Sequence, residues 1–449
     1  YYSEGKNAMK KIPCVVFLII CLVVTTFIPV SAYTLPAGTE VEAQCVVLYN
    51  FNSDTVVYRY NSNERREPAS LTKLMTALIV AETDSEPENT YITADSQSIL
   101  DISGTGASNA NLKTGEVMSS LDLLRCLLIS SGCDAANVLA THYAGSISAF
   151  VEKMNERAAA LGMNDTHFAN AHGLSATGQY TTADDLLILA KEVCKFEKLT
   201  EICSKSRYTV PATNMSDERV LTTTNLMLDP STDAYYKYTT GLKTGYTDNA
   251  GRCLISTAEK GNERYLCVML GCPVYGSDGR FIRREFSSSA NLYRWAFNDL
   301  QLSTVCDTST PRAEIKIKYS AGKDHLLATA ASEIKAVIPK ASSDSVIVEP
   351  HIETDTLTAP VTAGTKVGYA EVFCAGESLG TVDLIITEDC AHSTIKHIFG
   401  VLGSIFTSKL FIIIVCLAVA AFVIFIIINI LYNRKRRKKY RASVYRRYK

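Results

Sequence analysis

Apolar residues change rhythm several times along the chain, and each rhythm predicts an element. Gln44 to Tyr49 and Val56 to Tyr60 are short β-branched and aromatic runs on either side of the turn-rich Asn50-Phe51-Asn52-Ser53-Asp54, which predicts two joined strands. From about Ser70 the period lengthens. Leu71, Leu74, Met75 and Leu78 fall at i, i+3, i+4 and i+7 and predict a helix with one buried stripe. Leu121 to Ile129 is a nearly continuous apolar helix behind Ser119-Ser120 as caps, and Ala135 to Tyr143 and Ala149 to Leu161 extend the helical lobe. After Gly241 the pattern turns strand-like again. Cys253 to Ala258 and Tyr265 to Gly271 flank Glu259-Lys260-Gly261-Asn262-Glu263 as a hairpin, and Arg283 to Phe297 closes the unit as a helix holding the only tryptophan, Trp295. Strands at both ends with helices between them predict an α/β (α+β) domain over residues 36–300, with a mainly antiparallel sheet and a helical lobe.

Beyond residue 309 short strands alternate with turns: Glu314–Lys318, Ser345–Glu349, Lys366–Ala370 and Thr381–Ile386, with Ala363-Gly364-Thr365 and Ala375-Gly376 between them. This predicts a small all-β domain at 309–390. A linker at 392–408 follows. Its Ile395, Ile398, Phe399, Leu402 and Phe406 share one helical face suited to a bilayer surface.

Leu410 to Tyr432 contains no charge and is long enough to cross a hydrocarbon core of about 30 Å. The tail at 433–449 carries ten basic residues and no acid, so the positive-inside rule predicts a cytoplasmic tail and an extracytoplasmic body. At the other end Lys10-Lys11, the apolar Ile12 to Val30 and the small residues of Val30-Ser31-Ala32 predict a signal peptide at 9–32, or the same segment kept as an anchor. The chain opens at Tyr1 with Met9 just ahead of the lysines; either residues 1–8 extend past the natural start or that start is missing.

The formal net charge of −1 hides an acidic body: once the basic tail and the amino-terminal lysines are set aside, 32 basic residues stand against 45 acidic ones. That balance gives no electrostatic case for nucleic acid. The 449 residues, 47% of them apolar, suffice for two or three domains. Of fourteen cysteines, Cys14 and Cys21 lie in the signal and Cys416 in the span. The other eleven, odd in number and without a close C-x-x-C, read as buried small hydrophobes; spacing leaves Cys267/Cys272 and Cys194/Cys203 open as pairs.

The candidate chemistry begins at Ser70-Leu71-Thr72-Lys73. A serine and a lysine three apart at a helix start share a face, so a neutral amine can take the hydroxyl proton. The spacing recurs at Ser3/Lys6, Ser320/Lys323, Ser332/Lys335 and Ser393/Lys396, where nothing supports it. Ser131-Gly132-Cys133 follows the end of an apolar helix, and a serine on such a loop can relay protons. Lys243-Thr244-Gly245 precedes a predicted strand; its lysine and threonine suit a carboxylate and its glycine leaves room for a substrate backbone. The earlier copy Lys113-Thr114-Gly115 precedes a helix and reads as a solvated turn.

As an ordered set, Ser70-x-x-Lys73, Ser131-x-Cys133 and Lys243-Thr244-Gly245 resembles the three active-site motifs of penicillin-binding proteins and serine β-lactamases. The words Pro68-Ala69-Ser70-Leu71-Thr72-Lys73-Leu74-Met75-Thr76, Asn170-Ala171-His172-Gly173-Leu174 and Thr240-Gly241-Leu242-Lys243-Thr244-Gly245-Tyr246-Thr247-Asp248 are similar to those of the D-alanyl-D-alanine carboxypeptidases, over about residues 36 to 300. Leu357 to Ile386 looks like that family's C-terminal β domain. The resemblance implies a transpeptidase-like domain whose Ser70 attacks the carbonyl between two terminal D-alanines of a peptidoglycan stem peptide. Lys73 would act as base, Ser131 as relay, and Lys243, Thr244 and Gly245 as the substrate ledge. The N–H groups of Ser70 and Tyr246 would form the oxyanion hole. β-Lactams would be covalent inhibitors, and no cofactor is implied. No metal-binding spacing occurs among the seven histidines, and His172 alone reads as structural. Two positions depart from the family. Cys133 stands where asparagine is usual, and a thiol is a poor substitute for an amide that both donates and accepts. Tyr246 replaces a frequent histidine, which a backbone donor tolerates. A β-lactamase would want an E-x-x-L-N string between Ser131 and Lys243, and none is there. A catalytically weak wall-binding relative is favoured by Cys133 alone.

Overall fold

The structure, a computed structural model, describes residues 35–374 and 376–445; the expected signal peptide lies outside them. The chain divides into two units. The described part of the first runs to Ser303 and takes in Ala336–Ser343, and the second comprises Thr304–Lys335 and the chain from Asp344 onward.

The first unit is built on five antiparallel strands: β1 (Cys45–Asn50), β2 (Thr55–Tyr60), β3 (Thr239–Thr247), β4 (Gly251–Lys260) and β5 (Glu263–Cys272). Their order across the sheet is β2-β1-β5-β4-β3, which leaves β3 at an edge. The β4–β5 hairpin stands where the apolar pattern predicts it. The central strands are buried on both faces because alternate side chains feed two cores. Along β1, Cys45, Val47 and Tyr49 enter one core, while Val46 and Leu48 enter the other. On β5, Leu266, Val268 and Leu270 likewise oppose Tyr265, Cys267 and Met269.

The first core is shared with the helical lobe: α1 (Lys73–Thr83), α2 (Ser120–Leu128), α3 (Cys133–Ala144), α4 (Ile147–Leu161), α5 (Ala183–Val193) and α6 (Glu197–Ser204). The second lies under α7 (Arg284–Asp299), whose Phe286, Tyr293, Trp295 and Phe297 cover the far face of the sheet. Ser119 caps α2 as expected, its Oγ accepting from the Asp122 N–H. α1 differs from its expected single stripe. Every residue from Lys73 to Val80 is buried, because α2, α3, α4 and α5 pack around it. A helix surrounded in this way needs apolar residues all round, and a lysine within it is a costly exception.

Among its described residues the second unit carries a six-stranded sheet of β6 (Ala313–Lys318), β7 (His325–Ala330), β8 (Val346–Ile352), β9 (Thr356–Thr358), β10 (Lys366–Cys374) and β11 (Glu377–Ile386), in the order β8-β10-β11-β7-β6-β9. The pairs are antiparallel except β6 with β9. β7 and β9 were not legible as strands, and Ala336–Ser343, inside the expected β domain, returns to the first unit, where Val337 enters the second core. α8 (Thr394–Phe406) leaves Ile395, Ile398, Phe399, Leu402 and Phe406 exposed. α9 (Lys409–Tyr445) contains a stretch, Lys409–Arg437, that is long and apolar enough to cross a membrane. The helix does not stop at Tyr432, because arginine and lysine are good helix formers and no breaker intervenes.

The thiols of Cys194, Cys203, Cys267 and Cys272 are free, which closes both candidate pairings. Burial pushes Cys203, Cys253 and Cys267 up to about 12.

Candidate active site

The Ser70 segment departs from the simple helix start that the spacing predicts. Ala69–Thr72 forms a 3-10 turn, and α1 begins only at Lys73. Ala69 takes a positive φ of 47°, uncommon for a residue with a Cβ. Thr72 stiffens the turn by donating from Oγ1 to the Ala69 carbonyl at 2.9 Å.

Lys73 is wholly buried, and its Nζ donates to Ser70 Oγ at 2.9 Å, to the His172 carbonyl at 2.6 Å and to Cys133 Sγ at 3.4 Å. Burial lowers its pKa, and Cys133 and Asp134 oppose that shift in part. The result is an amine within hydrogen-bonding reach of a serine hydroxyl and biased toward its neutral form. Such an amine can withdraw the hydroxyl proton.

Lys243, also buried, donates to the Thr244 carbonyl at 3.0 Å; burial, and then the charge of Lys73, bring it down to about 7. Lys243-Thr244-Gly245 stands inside edge strand β3, not ahead of a strand as the sequence suggested. Gly245 is there for space: a Cβ would lie 3.2 Å from the Ser70 nitrogen and 3.1 Å from the Ala69 Cβ. Thr244 Oγ1 donates to Thr224 Oγ1. Tyr246 is 42% exposed, with its hydroxyl on Asp248 and the Arg252 guanidinium 5.2 Å from its ring centroid, so its side chain points away from the buried lysines.

The loop between α2 and α3 supplies the third part. Ser131 is buried with a φ of 63°, and Cys133 opens α3. Next to it the buried Asp134 carboxylate accepts from the N–H groups of Ala110, Leu112 and Ala135, fixing the neighbouring 110–112 segment to the helix start. The Cys133 N–H donates to Ser108.

The rival motifs do not assemble a site. Lys323, Lys335 and Lys396 are ion-paired with Glu388, Glu333 and Asp324, away from Ser320, Ser332 and Ser393. Lys113 lies in an exposed turn with Nζ on the Met215 carbonyl. Ser3/Lys6 lies outside the described residues.

Sequence reasoning missed what the 170–174 loop does. Thr76 Oγ1 donates to the Ala171 carbonyl, while Asn170 accepts from the Gly173 N–H and donates to the Leu174 carbonyl. The loop thus presents a main-chain oxygen to Lys73. The imidazole of His172 is pushed down to about 3 by burial and by Lys73, and its Nδ1 accepts from the Leu174 N–H. Burial and the neighbouring cation thus hold the ring neutral. Gly173, at a φ of +88°, lies so close to the turn that a Cβ would stand 2.0 Å from the Ala69 carbonyl oxygen.

Comparison with known proteins places the chain. A family profile described as D-alanyl-D-alanine carboxypeptidase matches residues 31–273, and one described as penicillin-binding protein 5, C-terminal domain, matches residues 310–392. The chain is 30% identical over 379 residues to the D-alanyl-D-alanine carboxypeptidase DacF of Bacillus subtilis (strain 168), covering 83% of this chain and 93% of that one. It is 29% identical over 364 residues to DacD of Escherichia coli (strain K12), covering 79% and 88%. The crystal structure of the D-alanyl-D-alanine carboxypeptidase DacD from Francisella tularensis superimposes with a TM-score of 0.64 at 25% identity, covering 80% of this chain and 96% of that one.

Two outcomes are expected. Gly173→Ala will cost about 2–4 kcal/mol in a denaturation experiment, since both the backbone and the space resist a Cβ. Gly178→Ala will cost only about 1 kcal/mol, because its φ of +83° is similar but a Cβ there meets nothing nearer than 4.0 Å. The second concerns pH. Lys243 titrates near 10.5 in the unfolded chain and about 7 in the folded one, so between those values the unfolded chain binds more protons and stability rises with pH. Thermal midpoints of Lys243→Met will therefore gain less than wild type between pH 7 and 10. Parallel pH curves would contradict the lowered amine.

Proposed function

Because the chain belongs to the D-alanyl-D-alanine carboxypeptidase family, we propose that Ser70 is the nucleophile with which it opens the D-alanyl-D-alanine bond of peptidoglycan stem peptides. The protein is a serine-type carboxypeptidase, a hydrolase of the cell wall. The observation that carries the reading is the 2.9 Å contact between the buried, pKa-lowered Lys73 amine and Ser70 Oγ.

Lys73 takes the serine proton as Ser70 Oγ attacks the penultimate D-alanine carbonyl. The oxygen that gains charge is held by the N–H groups of Ser70 and Tyr246, and the nearness of Gly245 to the Ser70 nitrogen supports that pairing. Ser131 carries the proton to the leaving nitrogen, free D-alanine departs, and water returned through the same base hydrolyses the ester. Lys243 and Thr244 receive the terminal carboxylate. An anion there favours the Lys243 ammonium and so offsets its lowered pKa. β-Lactams acylate the same serine. The second unit is a stalk, and α9 anchors the chain with the catalytic unit outside the cytoplasm and the basic residues inside; the exposed apolar face of α8 and the cations from Arg434 onward support this.

Ser70→Ala will abolish both fluorescent-penicillin labelling and D-alanine release from a diacyl-D-Ala-D-Ala peptide; labelling at the wild-type rate would refute the nucleophile. Cys133→Asn will raise kcat/KM for such peptides about two- to twelve-fold. An amide can accept from Lys73 while donating to the substrate, and one hydrogen bond is worth about 0.5–1.5 kcal/mol. A fall in kcat/KM at unchanged Tm would show a pocket rebuilt around the thiol.

A further inference from the structure

Glu67 lies three residues before Ser70, and its carboxylate accepts from three neutral donors on two loops. Oε2 receives Ser175 Oγ at 2.5 Å and Thr247 Oγ1 at 3.4 Å, and Oε1 receives Asn249 Nδ2 at 3.1 Å. Ser175 follows the His172-Gly173-Leu174 loop, Thr247 ends β3, and Asn249 lies in the turn to β4. Among the described residues Glu67 forms no ion pair; its neighbours Arg65 and Arg66 face Asp165 and Glu64 instead. Its acceptor capacity is therefore spent on holding loops together. Among the described residues its bonds to Thr247 and Asn249 are also the hydrogen bonds that join the 66–73 segment to the 239–249 segment.

That join matters because the two proposed oxyanion donors sit on opposite sides of it, Ser70 on one segment and Tyr246 on the other. Elsewhere the two meet through van der Waals packing at Gly245. We infer that Glu67 is a positioning residue that sets the spacing between the Ser70 and Tyr246 N–H groups, an inference that rests on their assignment as the oxyanion hole. Donors placed for the tetrahedral intermediate bind it more strongly than the ground-state carbonyl, so loosening them lowers kcat more than it changes KM.

The test uses the full chain in detergent and follows kcat and KM for D-alanine release together with the penicillin acylation rate. E67A is expected to lower kcat and the acylation rate about tenfold, with KM within about twofold and Tm little changed. The pair T247V/N249A removes the same bonds from the other side and should do the same, which covers the case where E67A fails to fold. E67Q should stay within about twofold of wild type, because the amide oxygen still accepts from Asn249 while its nitrogen donates to the Thr247 and Ser175 hydroxyls. Wild-type kcat in E67A and in T247V/N249A would overturn the inference alone, and so would E67Q as slow as E67A, since charge would then be the active property. A wild type that neither releases D-alanine nor binds penicillin overturns the reading of Ser70 and this inference with it.

Discussion

A lysine amine enclosed by protein with no carboxylate bonded to it is the constraint around which the first unit is arranged. Lys73 sits in a helix buried on all sides, and its ammonium form pays a desolvation cost that no ion pair offsets. Its three acceptors come from three separate elements: the 3-10 turn ahead of α1, the first residue of α3, and a main-chain carbonyl between α4 and α5. Each of these elements is fixed in turn by local polar contacts, through Thr72, Asp134 and Asn170 respectively. A second buried amine, Lys243, approaches from the sheet, and burial together with the charge of Lys73 drives it toward neutrality, while burial does the same to Lys73. The lobe, the edge strand and the loops thus answer one electrostatic requirement.

The sequence made the chemistry more legible than the architecture around it. Ser70, Lys73, Ser131, Cys133 and Lys243-Thr244-Gly245 could be selected from rival copies by order and neighbouring words, and the structure brings their segments together. The central strands were visible because residues feeding two cores leave unbroken apolar runs such as Cys45–Tyr49. What escaped is conformational or main-chain. Nothing in the letters marks Ala69 as left-handed, the His172 carbonyl as an acceptor, or Gly173 as the point where two loops nearly touch. α6 and the strands β7 and β9 escaped for a different reason: they are short or mixed in pattern, and tertiary packing rather than local propensity holds them. α5 was legible, with Thr182 as its cap, Asp184 and Asp185 in its first turn and an apolar face from Leu186 to Val193, and was overlooked.

Glu67 illustrates the same limit. An acid among Glu64, Arg65 and Arg66 reads as part of a solvated charge cluster, and its neighbours do form ordinary surface ion pairs. Only the fold shows that this one carboxylate turns toward neutral donors more than a hundred positions away in the chain.

The buried thiols have a chemical consequence. Disulfide exchange and oxidation proceed through the thiolate, and raising a thiol from 9.0 to about 12, as burial does for Cys203, Cys253 and Cys267, cuts that fraction roughly a thousandfold at neutral pH. These three thiols are therefore slow toward oxidants in the folded chain, and none of them is crosslinked. Peroxide or a small disulfide meeting the folded enzyme would spare its core, and the thiols would become available for scrambling only as the chain unfolds. Oxidative damage to this protein should thus follow unfolding rather than cause it.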